Sequence, residues 1–434
     1  MYDACMEAEL DPAVQLYPEL SKEDQLGKLK DLLRRVAAGS PFYQKKFKEA
    51  GVDPESIQSL EDLKNLPLTT KEELRDAYPL GLQAVSDSEI VRIHSSSGTT
   101  GKPVIIPYTR GDVDTWARMM MRCYMLAGLT DQDRIQITPG YGLWTAGIGF
   151  QLGAERLGAM AIPTGPGNTE KQLQMLTDLK STALASTSSY ALLLAEEIEK
   201  RGLKEQVCLR VGIVGSERWS EKMRHRIETE LGIETYDIYG LTEIYGPGIA
   251  LDCSCHEGMH YWSDYLLFEI IDPITGEPLP EGTLGELVIT TLTKEGGPLI
   301  RYRTRDLTRI IPGPCKCGCP FPRIDRILGR TDDRIKYKAV NIYPGQIEDI
   351  IQKVPGVSSE YQILLTRREG RDSMTFRVEM EVAEEPEKMA KAEKALKKAF
   401  KDFIGVTVDV VGVKIGELPR STKKTKRVID ERDL

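Results

Sequence analysis

No apolar run in this chain of 434 residues approaches the ~20 residues that a membrane-spanning helix needs. The acidic N-terminal segment also lacks the basic and apolar regions of a signal peptide, so a cytoplasmic location is the expectation. Positive charge is in deficit: 58 Lys and Arg against 66 Asp and Glu leave a formal net charge of −8. That balance argues against sequence-independent nucleic-acid binding, with the C-terminal cluster Lys423, Lys424, Lys426, Arg427 as the one local exception. Repeats and low-complexity tracts are missing, which removes solenoid and disordered architectures. A P-loop is missing too. The Gly101-Lys102 pair has Ser96 where that pattern needs its first glycine and Pro103 where it needs a hydroxyl.

What remains is a chain of ordinary globular composition, 41% hydrophobic and 29% charged, long enough for more than one domain. From about Ser21 to Pro79 the pattern is helical, with polar–apolar periodicity over Asp24 to Ala37 and a helix start at Thr69-Thr70-Lys71-Glu72-Glu73. Between Ile90 and Gly240 short apolar strands alternate with amphipathic helices, as at Arg134 to Thr138, Met160 to Thr164, Ala183 to Thr187, Val211 to Val214 and Thr235 to Ile238. This alternation predicts an α/β fold with a doubly wound, mostly parallel sheet. From about residue 250, strands and turns such as Asp272 to Gly276 and Gly285 to Ile289 predict an antiparallel subdomain. Past Gly329 the pattern is that of a small α+β domain, with helices over Gln346 to Lys353 and Pro386 to Phe403 and strands around Tyr361 to Thr366 and Thr375 to Val382.

Two features carry chemistry. Ser95 to Pro103 is a run of small Ser, Thr and Gly residues between two strand-like segments, ending in Lys102. Backbone N–H groups and hydroxyls on such a turn, with a mobile cation beside them, suit phosphates. The second feature is clustered cysteine. Cys253 and Cys255 lie close to two of only four histidines, His256 and His260, and Cys315, Cys317 and Cys319 form a second knot. Two short ligand-rich segments joined by a strand-rich stretch suit a tetrahedral structural zinc site.

Four motifs then stand in the order seen in adenylate-forming enzymes: Ser95 to Pro103, Tyr239-Gly240-Leu241-Thr242-Glu243, Tyr302-Arg303-Thr304-Arg305-Asp306 and Gly329-Arg330-Thr331-Asp332-Asp333. Over nearly its whole length the chain resembles the phenylacetate-CoA ligase branch, including Ser40 to Tyr43, Ala77 to Pro79 and Tyr141 to Trp144. The resemblance implies a carboxylate–CoA ligase. Attack of a carboxylate on the α-phosphorus of ATP gives an acyl-adenylate and pyrophosphate, and a thiol then displaces AMP. Both steps crowd negative charge and need cations and N–H donors where it builds up.

By the same resemblance, Ser96, Gly98, Thr99, Thr100 and Lys102 hold the β- and γ-phosphates, Thr242 touches the α-phosphate and Glu243 binds magnesium. Gly215, Ser216, Glu217 and Tyr239 frame the adenine, and Asp306, in the nucleotide site with Arg330, accepts both ribose hydroxyls. Leu418 to Ser421 resemble the approach to a catalytic lysine, Lys424 or its neighbour Lys423, whose ammonium bridges the carboxylate and the α-phosphate. Asp332 resembles a hinge between a large domain, 1–330, and a small mobile one, 334–434. Lys338 and Ala339, the latter where the family usually has glycine, lie on the path of CoA. Tyr141, Gly142, Trp144, Ala146 and Pro247 are implied in an acyl pocket for an aryl or arylalkyl acid, with phenylacetate as the default. Relatives match at Cys253, His260, Cys315 and Cys317 for zinc, while Cys255, His256 and Cys319 stay open as replacements. ATP, Mg2+, CoA and a structural Zn2+ are the expected cofactors and substrates, and a homodimer without nucleic-acid or membrane partners is the expected assembly. An adenylating enzyme with a carrier protein or other acceptor, or a non-catalytic nucleotide-binding relative, is the alternative.

Overall fold

The computed structural model describes residues 21–96, 102–333, 335–338, 340–368, 371–420 and 427–432. The helical lead-in forms as its signals demand. Ser21 Oγ accepts the Asp24 N–H at 3.1 Å and caps α1 (Lys22–Gly39), whose Leu29, Leu32, Leu33 and Val36 form one buried stripe. Proline opens α2 (Pro41–Ala50), and Gly51 ends it in the left-handed region at φ 64°. Thr70 and Glu73 make a reciprocal capping box on α3 (Lys71–Asp76).

Strands β1 (Ile90–Ser95) and β2 (Ile105–Thr109) pair antiparallel with each other and form their own two-stranded sheet. The strand–helix alternation expected from Ile90 onward therefore starts one unit later. The connection between β1 and β2 is too short for the crossover that a parallel pair requires, so it closes as a hairpin.

Next come α4 (Arg110–Leu126), β3 (Arg134–Ile137), α5 (Ala146–Leu157), β4 (Met160–Ile162), α6 (Thr169–Asp178), β5 (Ala183–Thr187), α7 (Ser188–Lys200), β6 (Val211–Gly215), α8 (Glu221–Leu231) and β7 (Glu234–Leu241). Strands β4, β3, β5, β6 and β7 lie side by side, all parallel. Every residue of β6 is buried, which is why this segment reads as continuous apolar sequence.

The same sheet then changes sense. Strands β8 (Gly246–Asp252) and β9 (Met259–Tyr261) add antiparallel beyond β7. A separate antiparallel sheet contains β10 (Leu266–Ile271), β11 (Gly285–Thr291) and β12 (Tyr302–Thr308). Strands β13 (Ile310–Ile311) and β14 (Arg323–Ile324) return to extend the first sheet to nine strands, and β15 (Gly329–Arg330) closes the second at four.

Beyond it, β16 (Ile335–Tyr337) and β17 (Val340–Ile342) form a ribbon, followed by α9 (Pro344–Lys353), β18 (Val357–Arg368), β19 (Arg371–Met380), α10 (Pro386–Ala399), β20 (Asp409–Lys414) and β21 (Val428–Asp430). Ile347, Ile351, Phe376, Leu396 and Phe400 give this unit a core of its own. It docks on the large unit through polar contacts. Arg218 Nε meets Glu348 at 3.0 Å, and Lys222 Nζ donates to the Val357 carbonyl at 2.7 Å. The Arg420 guanidinium spans Glu196 of α7 and Glu379 of β19, at 2.7 and 2.8 Å.

Candidate active site and metal centre

Where the parallel strands end, a cleft of about 650 Å³ opens between the two units, lined by Ser216, Tyr239, Gly240, Asp306 and Arg330 on one side and by Lys336 and Arg432 on the other. Crevices outside the carboxyl ends of parallel strands are where ligands enter such folds. Glycine is required at Gly215 and Gly240: a Cβ on either would lie 2.3 Å from the Ile238 carbonyl or 2.0 Å from that of Gly246. Ser216 follows in the left-handed region at φ 68°. Glu217 Oε1 accepts the Ser189 N–H at 2.8 Å, which turns this carboxylate toward α7.

Asp306 is the buried anion of the cleft. Its Oδ2 accepts the Tyr239 hydroxyl at 2.6 Å, and its Oδ1 accepts Arg330 at 3.0 Å. Burial pushes its carboxyl up to about 6, against the pull of Arg330 and Tyr239. Arg330 also brackets Asp332 with two hydrogen bonds, at 2.9 and 3.1 Å. The structure thus brings Tyr239, Asp306, Arg330 and Asp332 together.

Past β7, Thr242 Oγ1 lies 3.3 Å from Thr145 Oγ1, and the buried carboxylate of Glu243 forms an ion pair with Lys71 Nζ at 2.9 Å. Behind it sits Lys294, fully buried. Its ammonium donates to the Ile244 carbonyl and lies 4.3 and 4.6 Å from the ring centres of Tyr108 and Tyr245. Burial pushes Lys294 down to about 7, with Asp112 and Glu243 acting in the opposite direction. Sequence reasoning assigned neither lysine to the site. Lys71 appears there only as part of a helix start, and Lys294 carries no local signal, since Thr293-Lys294-Glu295-Gly296-Gly297 reads as a solvated turn.

Around the expected acyl pocket, Tyr141 is half-buried and its hydroxyl is pushed up to about 12 by burial. Its ring lies 2.7 Å from where a Cβ on Gly147 would stand. Gly142 has φ 98°, Ala146 opens α5, and the Pro247 carbonyl accepts the Trp116 indole N–H at 2.9 Å. Trp144 is 50% exposed. His94, absent from the sequence reading, stands edge-on to Tyr108 and Trp116 with Nδ1 at 3.1 Å from the Leu143 carbonyl, and burial pushes it down to about 4. Ser96 Oγ accepts the Val104 N–H at 3.1 Å, and Lys102 Nζ lies 5.6 Å over the Tyr78 ring. Lys338 takes a left-handed conformation at φ 47° on the β16–β17 turn. Gly98, Thr99, Thr100, Ala339, Lys423 and Lys424 lie outside the described residues.

The cysteine knots converge. The ligand atoms of Cys253, His260, Cys315 and Cys317 all lie within 4.8 Å of one another. Bonds of about 2.3 Å to sulfur and 2.0–2.1 Å to nitrogen give a tetrahedron edges of about 3.8 Å between sulfurs and about 3.5 Å between sulfur and nitrogen. Cys253 Sγ to Cys315 Sγ is 3.6 Å, and Cys317 Sγ to His260 Nε2 is 3.3 Å. His260 Nδ1 lies 2.7 Å from the Phe321 carbonyl, so it donates there and leaves the Nε2 lone pair facing the thiols. Among the described residues the three replacements lie outside this group. His256 is turned to Glu234 through Nε2 and to Asp252 and Arg224 through Nδ1, at 3.7, 3.1 and 2.7 Å, so both ring nitrogens are engaged away from the four ligand atoms. The Cys319 N–H points at Cys317 Sγ, at 3.4 Å.

Two family patterns match the chain: "AMP-binding enzyme" over residues 16–293 and "AMP-binding enzyme C-terminal domain" over 339–432. A phenylacetate-coenzyme A ligase of Pseudomonas putida is 42% identical over 100% of this chain and 99% of its own length. Among solved structures, a 2-hydroxyisobutyryl-CoA ligase in the postadenylation state with 2-HIB-AMP is 28% identical. It superposes with a TM-score of 0.86 over 95% of this chain and 90% of that one. Against the same enzyme with 2-HIB-AMP and CoA in the thioesterification state, the TM-score is 0.69 at 29% identity, again over 95% and 90%. The two units here are therefore arranged as in the first of these states.

Proposed function

The chain belongs to the AMP-binding enzyme family, in its phenylacetate-coenzyme A ligase branch, and from that premise we propose that it activates an aryl or arylalkyl acid, phenylacetate by default, and passes the acyl group to CoA. It is an acid–thiol ligase that forms AMP and pyrophosphate. The full-length match to a phenylacetate-coenzyme A ligase, with no large stretch of either chain left over, is the observation that carries the substrate class.

In this reading Asp306 takes the ribose. Both carboxylate oxygens already accept charge-assisted or phenolic hydrogen bonds inside a buried pocket, where such bonds are strong. Thr242 and Glu243 hold the α-phosphate and magnesium, and bound magnesium would screen the phosphate charge; Lys71 is the counter-charge beside Glu243. Lys424, with Lys423 as the alternative, supplies the ammonium of adenylation. After that step the small unit turns about Asp332 and releases contacts such as the Arg420 bridge to Glu196. Cys253, His260, Cys315 and Cys317 hold a structural zinc that ties the end of β8 and β9 to the loop before β14. A cytoplasmic homodimer completes the reading, on the resemblance to other such enzymes.

The test incubates the protein with ATP, magnesium, CoA and a panel of carboxylic acids. AMP, pyrophosphate and an aryl- or arylalkyl-CoA are expected. ADP and phosphate would overturn the mechanism, and AMP formed without consumption of CoA would move the acyl group to another acceptor. Lys424→Ala should impair adenylation far more than thiolysis of supplied acyl-adenylate; equal loss of both steps would point to Lys423 or to misfolding of the variant and overturn the assignment to Lys424.

A further inference from the structure

The chain just before Lys423 and Lys424, from Gly416 to Arg420, is gathered around one carboxylate. Glu379, fully buried on β19, accepts the Gly416 N–H at 3.0 Å, the Leu418 N–H at 3.2 Å and the Arg420 guanidinium at 2.8 and 2.9 Å. A buried carboxylate is costly unless its lone pairs are filled, and here donors from three neighbouring residues fill them. Arg420 reaches further. Its Nε and one terminal nitrogen fork onto Glu196 of α7 at 3.1 and 2.7 Å, so one planar guanidinium joins a carboxylate from each unit. The Arg420 side chain is 9% exposed and that of Glu196 22%, which separates this bridge from the open surface ion pairs that contribute little.

The bridge can open without stranding a charge. Glu196 is also paired with Arg226 of α8 at 3.0 Å, and Arg420 keeps Glu379, so each side retains a partner when the two separate. Its place along the chain gives the bridge a task. A residue spans at most about 3.6 Å, so the backbone of Lys424 lies within about 14 Å of that of Arg420, and fixing Arg420 on the large unit limits where the ammonium can be delivered. We propose that Glu379 and Glu196 are positioning residues for adenylation: Glu379 shapes the approach to the catalytic lysine, and Glu196 latches that approach to the large unit. The proposal rests on the ligase reading for its reaction. Arg420 and Glu379 lie beyond the hinge and travel together when the small unit turns, whereas Glu196 stays behind, so thiolysis makes no use of the latch.

The experiment has two parts, both on the full-length chain. In the first, adenylation is read as phenylacetate-dependent exchange of pyrophosphate into ATP, and thiolysis as phenylacetyl-CoA formed from supplied phenylacetyl-adenylate. Glu196→Gln should slow exchange about 10-fold and leave thiolysis within about 2-fold of wild type. Arg420→Lys should shift the ratio of the two rates in the same direction, because an ammonium cannot fork onto both carboxylates. Unchanged pyrophosphate exchange in Glu196→Gln, or loss of both half-reactions in proportion in the two variants, would overturn the latch.

The second part needs no turnover. Amide hydrogen exchange over Asp409 to Arg420, followed by mass spectrometry, should be about 10-fold faster in Glu196→Gln, since an undocked segment opens its Gly416 and Leu418 N–H groups to water more often. Equal protection in wild type and variant would overturn the assignment to Glu196. Faster exchange in the variant, together with a wild type that exchanges no pyrophosphate with any acid of the panel, would overturn the ligase reading and leave the latch between the two units standing.

Discussion

Replacing Lys294 by methionine should change how stability responds to pH. In the folded protein the ammonium is fully buried against Tyr108, Tyr245 and the Ile244 carbonyl, and its pKa falls from 10.5 to about 7. A drop of that size means the charged form costs about 5 kcal/mol more in the fold than in the unfolded chain. Because the folded pKa is the lower one, the unfolded chain holds more protons between pH 7 and 10.5, and stability rises with pH across that window. Between pH 6 and pH 9 this single group should add about 2–3 kcal/mol to wild-type stability, an increment Lys294→Met cannot show. Asp112 works in the same direction. Burial raises its carboxyl while Lys294 pulls it down, so removing Lys294 raises it further and lowers the variant's stability as pH rises. Urea unfolding at pH 6, 7.5 and 9, followed by tryptophan fluorescence, measures the difference directly, since Trp116 stacks on Tyr108 at 5.7 Å. Wild-type and variant stabilities that stay parallel across the range would refute the reasoning.

If Asp306 takes the ribose as proposed, Asp306→Asn keeps the shape of that side chain and removes its charge, so kcat/KM for ATP should fall about 10- to 100-fold in a pyrophosphate-release assay, with urea stability little changed. With the carboxyl near 6, its ionised fraction drops on acidification, and AMP affinity measured by calorimetry should weaken about 10-fold from pH 7 to pH 5 in wild type but not in Asp306→Asn. Metal analysis should find about one zinc per chain and markedly less in Cys317→Ser, with a lower unfolding midpoint after chelation; full stability without metal would refute the structural role.

Several residues named by resemblance come together in the structure, although their roles remain proposals. The Tyr239 to Glu243 and Tyr302 to Asp306 motifs sit on adjoining ends of β7 and β12, and the four cysteine and histidine positions chosen from two knots converge in space. Strands of the parallel sheet could be read from apolar runs because both faces are buried. What escaped depends on long-range contact. Lys71 meets Glu243 across 172 positions, and Lys294 is a charged residue in a polar segment that folding carries into the interior. The separate β1–β2 ribbon escaped for a related reason: its strands look like others of the sheet, and only their short connection fixes whom they pair with.

The lead-in helices lean on partners far away in the chain. Gln25 donates to the Ser263 carbonyl, the Tyr43 hydroxyl accepts the Ile300 N–H, and Thr69 exchanges backbone hydrogen bonds with Arg301 and Arg303. During synthesis those partners do not exist until more than half of the protein has been made. At about 5–20 residues per second those polar anchors arrive on the order of 10–50 s after α1 itself, whereas the segments α1 packs against, Pro41–Ala50, Pro54–Ser56 and Leu60–Asn65, follow it within seconds. The lead-in helices can therefore pack on one another early and are fixed to the large unit only later, when Ser263, Ile300 and Arg301 have been made.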